Sequence, residues 1–140
     1  KIVIGTHNRD VFQLLKDLLV CKDVPIIRVK PVEAEIAKLA LNSLALIKVV
    51  FAEELWYFSK ALGADYDNVF RIFELDQNVN PRHLQANKDG YRGADGKCLP
   101  KDSQFLFEAS RAVDSRISIL GVAIELNKHL LRMRKYHDRV

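Results

Sequence analysis

The sequence predicts a mainly α fold that is built on one long central helix and preceded by a short β-α-β unit. Three observations lead to this prediction. Residues 32–62 contain neither glycine nor proline, and such a run suits an unusually long helix. Two short apolar runs, "KIVIG" and "VPIIRV", flank a segment with helical periodicity. After residue 63, helical patterns are separated by a single glycine-rich stretch.

The first 30 residues are predicted to form two parallel strands joined by a helix. Gly5 ends the first strand, and "DVFQLLKDLLV" places its apolar residues on one helical face. A β-α-β unit of this size is too small to be a domain, so we interpret residues 1–30 as the trailing part of a larger parallel α/β sheet. Because the chain opens at Lys1 directly in a strand, we expect it to be a fragment of a longer protein.

The long helix opens a helical domain that we assign to residues 31–140. It is predicted to begin at Pro31 and to stop before Gly63, which would give a length of about 45 Å at 1.5 Å per residue. Its apolar residues occupy more than one face, so it must be buried on more than one side. We therefore predict a homodimer through this helix; the alternative is a central helix wrapped by its own chain. The main stripe consists of Ile36, Leu44, Ile47, Phe51, Leu55, Phe58 and Leu62, and Leu41, Val49 and Trp56 lie off it.

Two further helical pieces and a loop are predicted next. The first helix covers "DYDNVFRIFEL" and is capped by Asp65 or Asp67. The second is a shorter piece, "PRHLQAN", that begins at Pro81. Glycines crowded into "KDGYRGADG" then predict a loop whose backbone can approach a ligand closely. They are Gly90, Gly93 and Gly96.

Two helices are predicted for the last third of the chain. Pro100 suits the first position of a helix over "PKDSQFLFEASRAV", which makes Leu99 the cap and places Cys98 just ahead of the helix. The remainder, "RISILGVAIELNKHLLRMRKYHD", predicts a long final helix that is mildly interrupted at Gly121.

The composition favours a compact core and argues against several classes of protein. At 140 residues and 49% hydrophobic residues, the chain can bury a core without disulfides or metals. Its net charge of +4 is concentrated in "KHLLRMRKYHDRV", the only pattern that favours nucleic acid, and we expect no nucleic-acid partner. No apolar run reaches the roughly 18 residues that span a bilayer, so we expect no membrane association.

The two cysteines indicate neither a zinc site nor a disulfide framework. Cys21 and Cys98 lie far apart in the sequence, without CxxC spacing or a histidine partner. We therefore expect no bound metal and a reducing, cytoplasmic location.

The segment "GKCLPKD", residues 96–102, favours a reactive cysteine. A residue just ahead of a helix faces unpaired N–H groups and the positive end of the helix dipole, which favour a thiolate. Lys101 would favour the Cys98 thiolate further, and Asp102 would orient a water or an amine. The alternative is that Cys98 is a small buried hydrophobe and Asp102 an ordinary acid of a first helical turn.

Polar residues interrupt the apolar surface of the long helix. Glu35, Lys38 and Asn42 stand at i, i+3 and i+7, so they line one face. Buried lysine and asparagine side chains need partners. An ammonium and an amide about one turn apart would stabilise an oxyanion on a carbonyl attacked by the Cys98 sulfur. The alternatives are a solvated stripe and a salt bridge across a dimer.

Three segments, "EAEIAKLALN", "ALGADYDNVF" and "GADGKCLPKD", together resemble the UDP-glucose/GDP-mannose dehydrogenase family of nucleotide-sugar 6-dehydrogenases. The resemblance covers nearly the whole chain. It implies that residues 1–30 are the last strands of a Rossmann-like NAD-binding domain and that residues 31–140 are the central helical dimerisation domain. Members of the family also have a C-terminal domain that binds the nucleotide sugar.

The resemblance implies oxidation of a sugar C6 alcohol to a carboxylate in two NAD-dependent hydride transfers. The second starts from a thiohemiacetal on the catalytic cysteine and leaves a thioester that water hydrolyses. The family motif C-x-x-K-D matches at Cys98, the nucleophile, at Lys101 and at Asp102, which with Lys38 would position water or relay protons. The motif K-x-x-x-N matches at Lys38 and Asn42, which would stabilise the oxyanion and handle water.

The resemblance also implies substrate-binding residues and shows two departures from the family pattern. Ala94 and Asp95 stand where the family loop has an aromatic residue and a glycine. Asn78 stands where many relatives carry an arginine that reaches the partner subunit's sugar, and Arg82 lies one turn later as a substitute. The implied substrate-binding residues are Gly93, Gly96, Lys101 and Arg82.

A dinucleotide fingerprint G-x-G-x-x-G is absent, because "GYRGADG" has the wrong glycine spacing and no strand before it. We therefore expect NAD to bind the intact enzyme and not this fragment, which we expect to be inactive alone. The expected partners are a nucleotide-sugar substrate and a second copy of the chain. The alternative is a non-catalytic helical dimerisation module that retains the family motifs.

Overall fold

The computed structural model describes residues 1–19, 24–86 and 92–137 and divides the chain into two compact units, Lys1–Ala40 and Leu41–Val140. The mainly helical fold with a small parallel sheet, predicted from the sequence, is confirmed. The elements follow one another as β1 (Ile2–Gly5), α1 (Arg9–Leu18), β2 (Ile26–Val29), α2 (Pro31–Ala61), α3 (Tyr66–Leu75), α4 (Leu99–Ala112) and α5 (Ser118–His137).

The first unit contains the predicted β-α-β arrangement. Strands β1 and β2 pair in parallel, with Ile2 opposite Ile26 and Gly5 opposite Val29. Helix α1 begins after Asn8, whose side-chain oxygen accepts hydrogen bonds from two backbone N–H groups of the first turn. Parallel pairing of two strands this close in sequence requires such a crossover helix.

Helix α2 begins at Pro31, as predicted. Proline fits here because the first N–H groups of a helix have no partner inside it. The Glu33 carboxylate accepts a hydrogen bond from the backbone N–H of Lys30 at 2.7 Å, which is the reciprocal half of a capping box.

The end of α2 also lies where the sequence predicts it, because Gly63 has a left-handed φ of +70°. The N–H of Ala64 donates to the carbonyl of Ser59 at 2.8 Å, and the N–H of Gly63 donates to that of Lys60 at 3.0 Å. This pair of bonds is a Schellman motif, which satisfies carbonyl groups that the helix itself leaves unpaired.

Two hydrophobic clusters form the core of the second unit. The first joins α2 to α5 and to the loop before α4; its buried members are Leu46, Val50, Ala94, Ala123 and Leu130. The second packs the C-terminal half of α2 against α3 and the turn that follows it; its buried members are Ala52, Tyr66, Leu84 and Ala86. Helix α2 therefore contributes to both clusters.

Part of the predicted apolar stripe of α2 is exposed among the residues that the structure describes. Leu44, Phe51, Phe58 and Leu62 are between 50% and 68% exposed, whereas Ile47 is half-buried. These four exposed residues are called the α2 stripe below. No helix in the described ranges is long and apolar enough to cross a membrane.

Helix α3 is capped by Asp65, one of the two predicted candidates. Its side chain accepts a hydrogen bond from the backbone N–H of Asp67 at 3.0 Å. At the start of α3, burial and then the nearby Glu53 carboxylate raise the pKa of Tyr66 to about 12. The Tyr66 hydroxyl donates to the carbonyl of Leu84 at 2.7 Å.

The short helix predicted to begin at Pro81 is absent from residues 81–86, so that prediction is wrong; residue 87 lies outside the described ranges. The segment forms a turn in which the N–H of Leu84 donates to the carbonyl of Pro81 at 2.9 Å. His83 has a φ of +72°, and this left-handed backbone cannot continue a right-handed helix.

The interruption predicted at Gly121 is also wrong, because α5 continues through it. A Cβ atom at Gly121 would lie 2.7 Å from Cε2 of Phe107 on α4. Glycine therefore allows the close approach of α4 and α5 rather than breaking α5.

Gly63→Ala is expected to lower the free energy of unfolding by about 1 kcal/mol, because a Cβ atom is disfavoured in the left-handed region. No other atom lies within 4 Å of the added Cβ, so the substitution changes backbone strain alone. Gly63→Asn should cost less, because asparagine tolerates this conformation. Urea unfolding followed by the fluorescence of Trp56, the single tryptophan, measures both; equal midpoints for all three proteins would contradict the prediction.

Candidate functional site

Cys98 lies at the N-terminus of α4. The helix begins at Leu99 rather than Pro100, so Cys98 is itself the N-cap residue and the predicted cap at Leu99 is wrong. The reason is that Cys98 already has near-helical backbone angles, φ −93° and ψ −57°, and Pro100 is equally compatible with the second position of the first turn. Cys98 is exposed, so the alternative of a small buried hydrophobe is wrong.

Asp102 is the buried polar residue beside this helix start. Its side chain is 3% exposed, and one carboxylate oxygen accepts a hydrogen bond from the Asn42 side-chain amide at 2.6 Å. The other oxygen lies 3.2 Å from Nζ of Lys101, which is 73% exposed. The backbone N–H of Asp102 donates to the carbonyl of Cys98 at 2.9 Å.

These contacts bring together residues from two motifs that are distant in the sequence. Asn42 lies on α2 and Asp102 on α4, 60 positions apart in the sequence. Because Cys98 and Asp102 are four residues apart at the start of one helix, the thiol and the carboxylate lie about one turn from each other. The arrangement can hold a nucleophile, a buried acceptor and an amide in one place.

Lys38 lies four residues before Asn42 on the same helix and is exposed. It belongs to the first unit, whereas Cys98 and Asp102 belong to the second. The part assigned to Lys38 by the K-x-x-x-N motif therefore stays a prediction.

The loop before Cys98 has left-handed backbone at two of its predicted glycines. Gly93 has a φ of +75° and Gly96 a φ of +87°, conformations that favour glycine. A Cβ atom at Gly93 would also lie 3.0 Å from Oδ1 of Asn127. Gly90 lies outside the described residues.

Asn127, on α5, is a site residue that the sequence analysis missed. Its amide oxygen accepts a hydrogen bond from the N–H of Ala94 at 2.6 Å, and its amide nitrogen donates to the carbonyl of Ala94 at 2.9 Å. Asn127 is 2% exposed. The available signal was an asparagine at helical spacing from Ala123, Leu130 and Leu131 in "VAIELNKHLL", because a buried amide needs partners.

Arg82 lines a cavity that does not include Cys98 or Asp102 among its lining residues. This cavity has a volume of about 360 Å³, and Asn42, Lys48, Arg82 and His83 are among its lining residues. Burial, and then the positive charges of Arg82 and Lys48, lower the pKa of His83. Asn42 therefore borders both the cavity that holds Arg82 and the carboxylate next to Cys98.

The described residues contain no group of three or more histidine, cysteine, aspartate or glutamate side chains that could hold a metal ion. A dinucleotide does not fit the residues present either. The described part of the first unit has two strands, and the sequence lacks the glycine fingerprint that lets a backbone approach a pyrophosphate.

Comparison with known proteins gives a consistent result. Residues 32–129 match the central domain of the UDP-glucose/GDP-mannose dehydrogenase family. The chain is 27% identical to UDP-glucose 6-dehydrogenase YwqF of Bacillus subtilis over 129 residues, covering 92% of the chain and 28% of that protein. It is 33% identical to a GDP-mannose 6-dehydrogenase of Pseudomonas putida over 126 residues, covering 89% of the chain and 27% of that protein.

The structure is similar to that of a UDP-glucose dehydrogenase from the hyperthermophilic archaeon Pyrobaculum islandicum. The TM-score is 0.82 at 28% sequence identity, and the match covers 91% of this chain and 28% of that one. The chain therefore spans less than a third of the length of the relatives that it matches.

Asn42→Ala is expected to lower the free energy of unfolding by about 1–3 kcal/mol at neutral pH, because the buried Asp102 carboxylate loses a donor. Asn68→Ala is the matched control, since Asn68 donates to Asp65 at 3.4 Å in an exposed pair, and it should cost less than about 0.5 kcal/mol. Chemical denaturation measures both; equal losses would show that the Asn42 contact does not stabilise the buried carboxylate.

Proposed function

Because the chain belongs to the UDP-glucose/GDP-mannose dehydrogenase family, we propose that the complete protein oxidises the C6 alcohol of a nucleotide sugar to a carboxylate. The relatives whose names give a substrate act on UDP-glucose or GDP-mannose. The chain would supply the central dimerisation domain, residues 31–140, and the end of the NAD-binding domain, residues 1–30.

The contact between Asn42 and Asp102 carries this proposal, because it joins the K-x-x-x-N and C-x-x-K-D motifs in space. In the proposed reaction the Cys98 sulfur attacks the C6 aldehyde and forms a C–S bond, and the carbonyl oxygen becomes an oxyanion. The Asn42 amide, together with Lys38, would donate hydrogen bonds to that oxyanion. Exposure of Cys98 supports the proposal, since a nucleophile must reach its substrate.

Asp102 would act in the second half of the reaction. Water attacks the thioester carbon, the C–S bond breaks and the Cys98 thiol regains its proton. A buried carboxylate held at 2.6 Å by Asn42 suits a group that orients this water and accepts its proton. The exposed ammonium of Lys101 would balance the negative charge of this carboxylate from the solvent side.

NAD would accept the two hydrides that separate the alcohol from the acid when it is bound to the complete protein. Because the sequence lacks the glycine fingerprint of a dinucleotide site, we propose that other parts of the protein hold it. The loop glycines Gly93 and Gly96 and the side chains of Lys101 and Arg82 would contact the nucleotide sugar. The cytoplasmic location stays a prediction.

We also propose that the protein is a homodimer through the α2 stripe. Leu44, Phe51 and Phe58 on α2 and Leu62 directly after it are at least half exposed, and exposed apolar surface is typical of an interface. The stripe contains two phenylalanines, and aromatic residues are enriched in the cores of interfaces.

Cys98→Ser in the complete protein is expected to slow acid formation from its sugar nucleotide by at least about a thousandfold, because the covalent intermediate cannot form. Cys21→Ser, which removes the other cysteine of residues 1–140, should leave the rate within about twofold. The measurement is acid product and NADH formed with UDP-glucose and with GDP-mannose in separate reactions. Undiminished acid formation by Cys98→Ser would end the mechanistic proposal. Oxidation of neither sugar nucleotide by a dimeric wild-type protein would favour the non-catalytic dimerisation module.

Phe51→Glu is expected to raise the dimer Kd by about 30-fold or more, because a charge would be buried in the apolar interface. Phe105→Glu is the control: Phe105 is 63% exposed but lies on α4, outside the α2 stripe. Sedimentation velocity over a concentration series measures both. A monomeric wild-type protein at micromolar concentration, or equal effects of the two variants, would contradict the proposed interface.

A further inference from the structure

Arg92 connects the loop before Cys98 to helix α2. Its NH1 atom lies 3.7 Å from Oε2 of Glu53, and the two side chains are 14% and 2% exposed. The guanidinium carbon lies 4.0 Å from the ring centroid of Trp56 and 4.7 Å from that of Tyr57. Arg92 is thus held by a carboxylate and two aromatic rings of one helix.

The chemistry of this contact favours the docked position of Arg92, although the 3.7 Å ion pair is longer than a hydrogen bond. A guanidinium keeps its charge in a protein, and a buried charge is costly unless an opposite charge and other favourable contacts compensate for it. Withdrawal of Arg92 would leave the Glu53 carboxylate buried without this cation. A planar guanidinium stacks on aromatic rings, and a lysine ammonium does not reproduce that stacking.

A second contact holds the loop two residues further on. Asn127 forms two hydrogen bonds with the backbone of Ala94, and Gly93 between the two contacts has a left-handed φ of +75°. The backbone from Arg92 to Ala94 is therefore attached to α2 on one side and to α5 on the other.

Cys98 lies between this attachment and the one provided by Asp102. Upstream, Arg92 is held by Glu53, and downstream, Asp102 is held by Asn42. Glu53 and Asn42 both lie on α2, about 16 Å apart along its axis at 1.5 Å per residue. Residues 95–98 are exposed, so little packing holds them directly. The two attachments to α2, at Arg92 and at Asp102, therefore limit where Cys98 can move.

We propose that Arg92 is a positioning residue for Cys98: by docking between Glu53 and the rings of Trp56 and Tyr57, it sets where the loop delivers the sulfur. The kinetic part of this inference rests on the proposed function. Placement of the thiol itself is a property of the chain and is measured without turnover.

The test compares Arg92→Met and Arg92→Lys in the complete protein, with Arg111→Met as a matched control. Arg111 pairs with Glu108 at 3.3 Å, but their side chains are 54% and 51% exposed. Arg92→Met is expected to lower kcat by about tenfold to a hundredfold, the size of effect that a misplaced reacting group produces, while KM changes by less than about threefold. Arg92→Lys should restore part of kcat, because it keeps the charge but not the stacking.

The second measurement is the rate at which iodoacetamide alkylates Cys98 at neutral pH, followed by mass spectrometry of the peptide that contains Cys98. We expect Arg92→Met to change this rate by about threefold or more, because the loop no longer holds the sulfur in one place relative to α2, and Arg111→Met to leave it unchanged. Glu53→Gln keeps the shape of the side chain and removes its charge, so it should shift the alkylation rate in the same direction if Arg92→Met does not fold.

Together, kcat and the alkylation rate of Cys98 distinguish failure of the positioning role of Arg92 from failure of the proposed function. Lower melting temperatures for Arg92→Met and Glu53→Gln, with wild-type kcat and wild-type alkylation, would show that Arg92 only stabilises the fold and would overturn the inference. Oxidation of neither sugar nucleotide by the wild-type protein would reject the proposed function, and the alkylation rates would still decide whether Arg92 positions Cys98.

Discussion

The arrangement of the second unit around Cys98 depends on the buried carboxylate of Asp102. Removing a carboxylate from water costs several kcal/mol unless donors replace the lost solvent. The Asn42 amide from α2 and the Lys101 ammonium supply those donors, at 2.6 Å and 3.2 Å. Because Asn42 has one position on α2, the first turn of α4 has to lie beside it, and a shift along α2 would leave the carboxylate without its amide donor. One polar contact thus sets where the helix that begins after Cys98 stands.

The buried backbone groups of the loop before α4 also need hydrogen-bond partners. Its N–H and C=O groups belong to no helix or strand, and buried backbone groups need partners. Asn127 serves both groups of Ala94 because a single amide offers a donor and an acceptor. An apolar residue at that position of α5 would bury two unpaired groups. The polar residue on the buried face of α5 is thus explained by the backbone of the loop, with which Asn127 forms both hydrogen bonds.

Local signals account for the parts of the fold that could be predicted, and distant contacts account for the rest. The proline and glycine that bound α2 and the Asp65 cap act within one or two turns. The segment after Pro81 has a helix-like start, but the carbonyl of Leu84 accepts a hydrogen bond from Tyr66 and tertiary packing overrides propensity. At the site, motif spacing identified Asn42 and Asp102, whereas Asn127 was missed because its partner lies 33 positions away and leaves no spacing pattern.

Ala94 and Asp95, the two residues at which the loop departs from the family pattern, have different effects on the loop. Ala94 is 4% exposed but meets Asn127 through its backbone alone. An aromatic side chain at that position is therefore unnecessary for the conformation of the loop. Asp95 is exposed and accepts a hydrogen bond from the N–H of Gly96 at 2.6 Å. A carboxylate there adds negative charge to the exposed surface of the loop and leaves the contacts of Arg92 and Ala94 as they are. These two residues therefore change the surface of the loop while its attachments to α2 and α5, through Arg92 and the backbone of Ala94, stay the same.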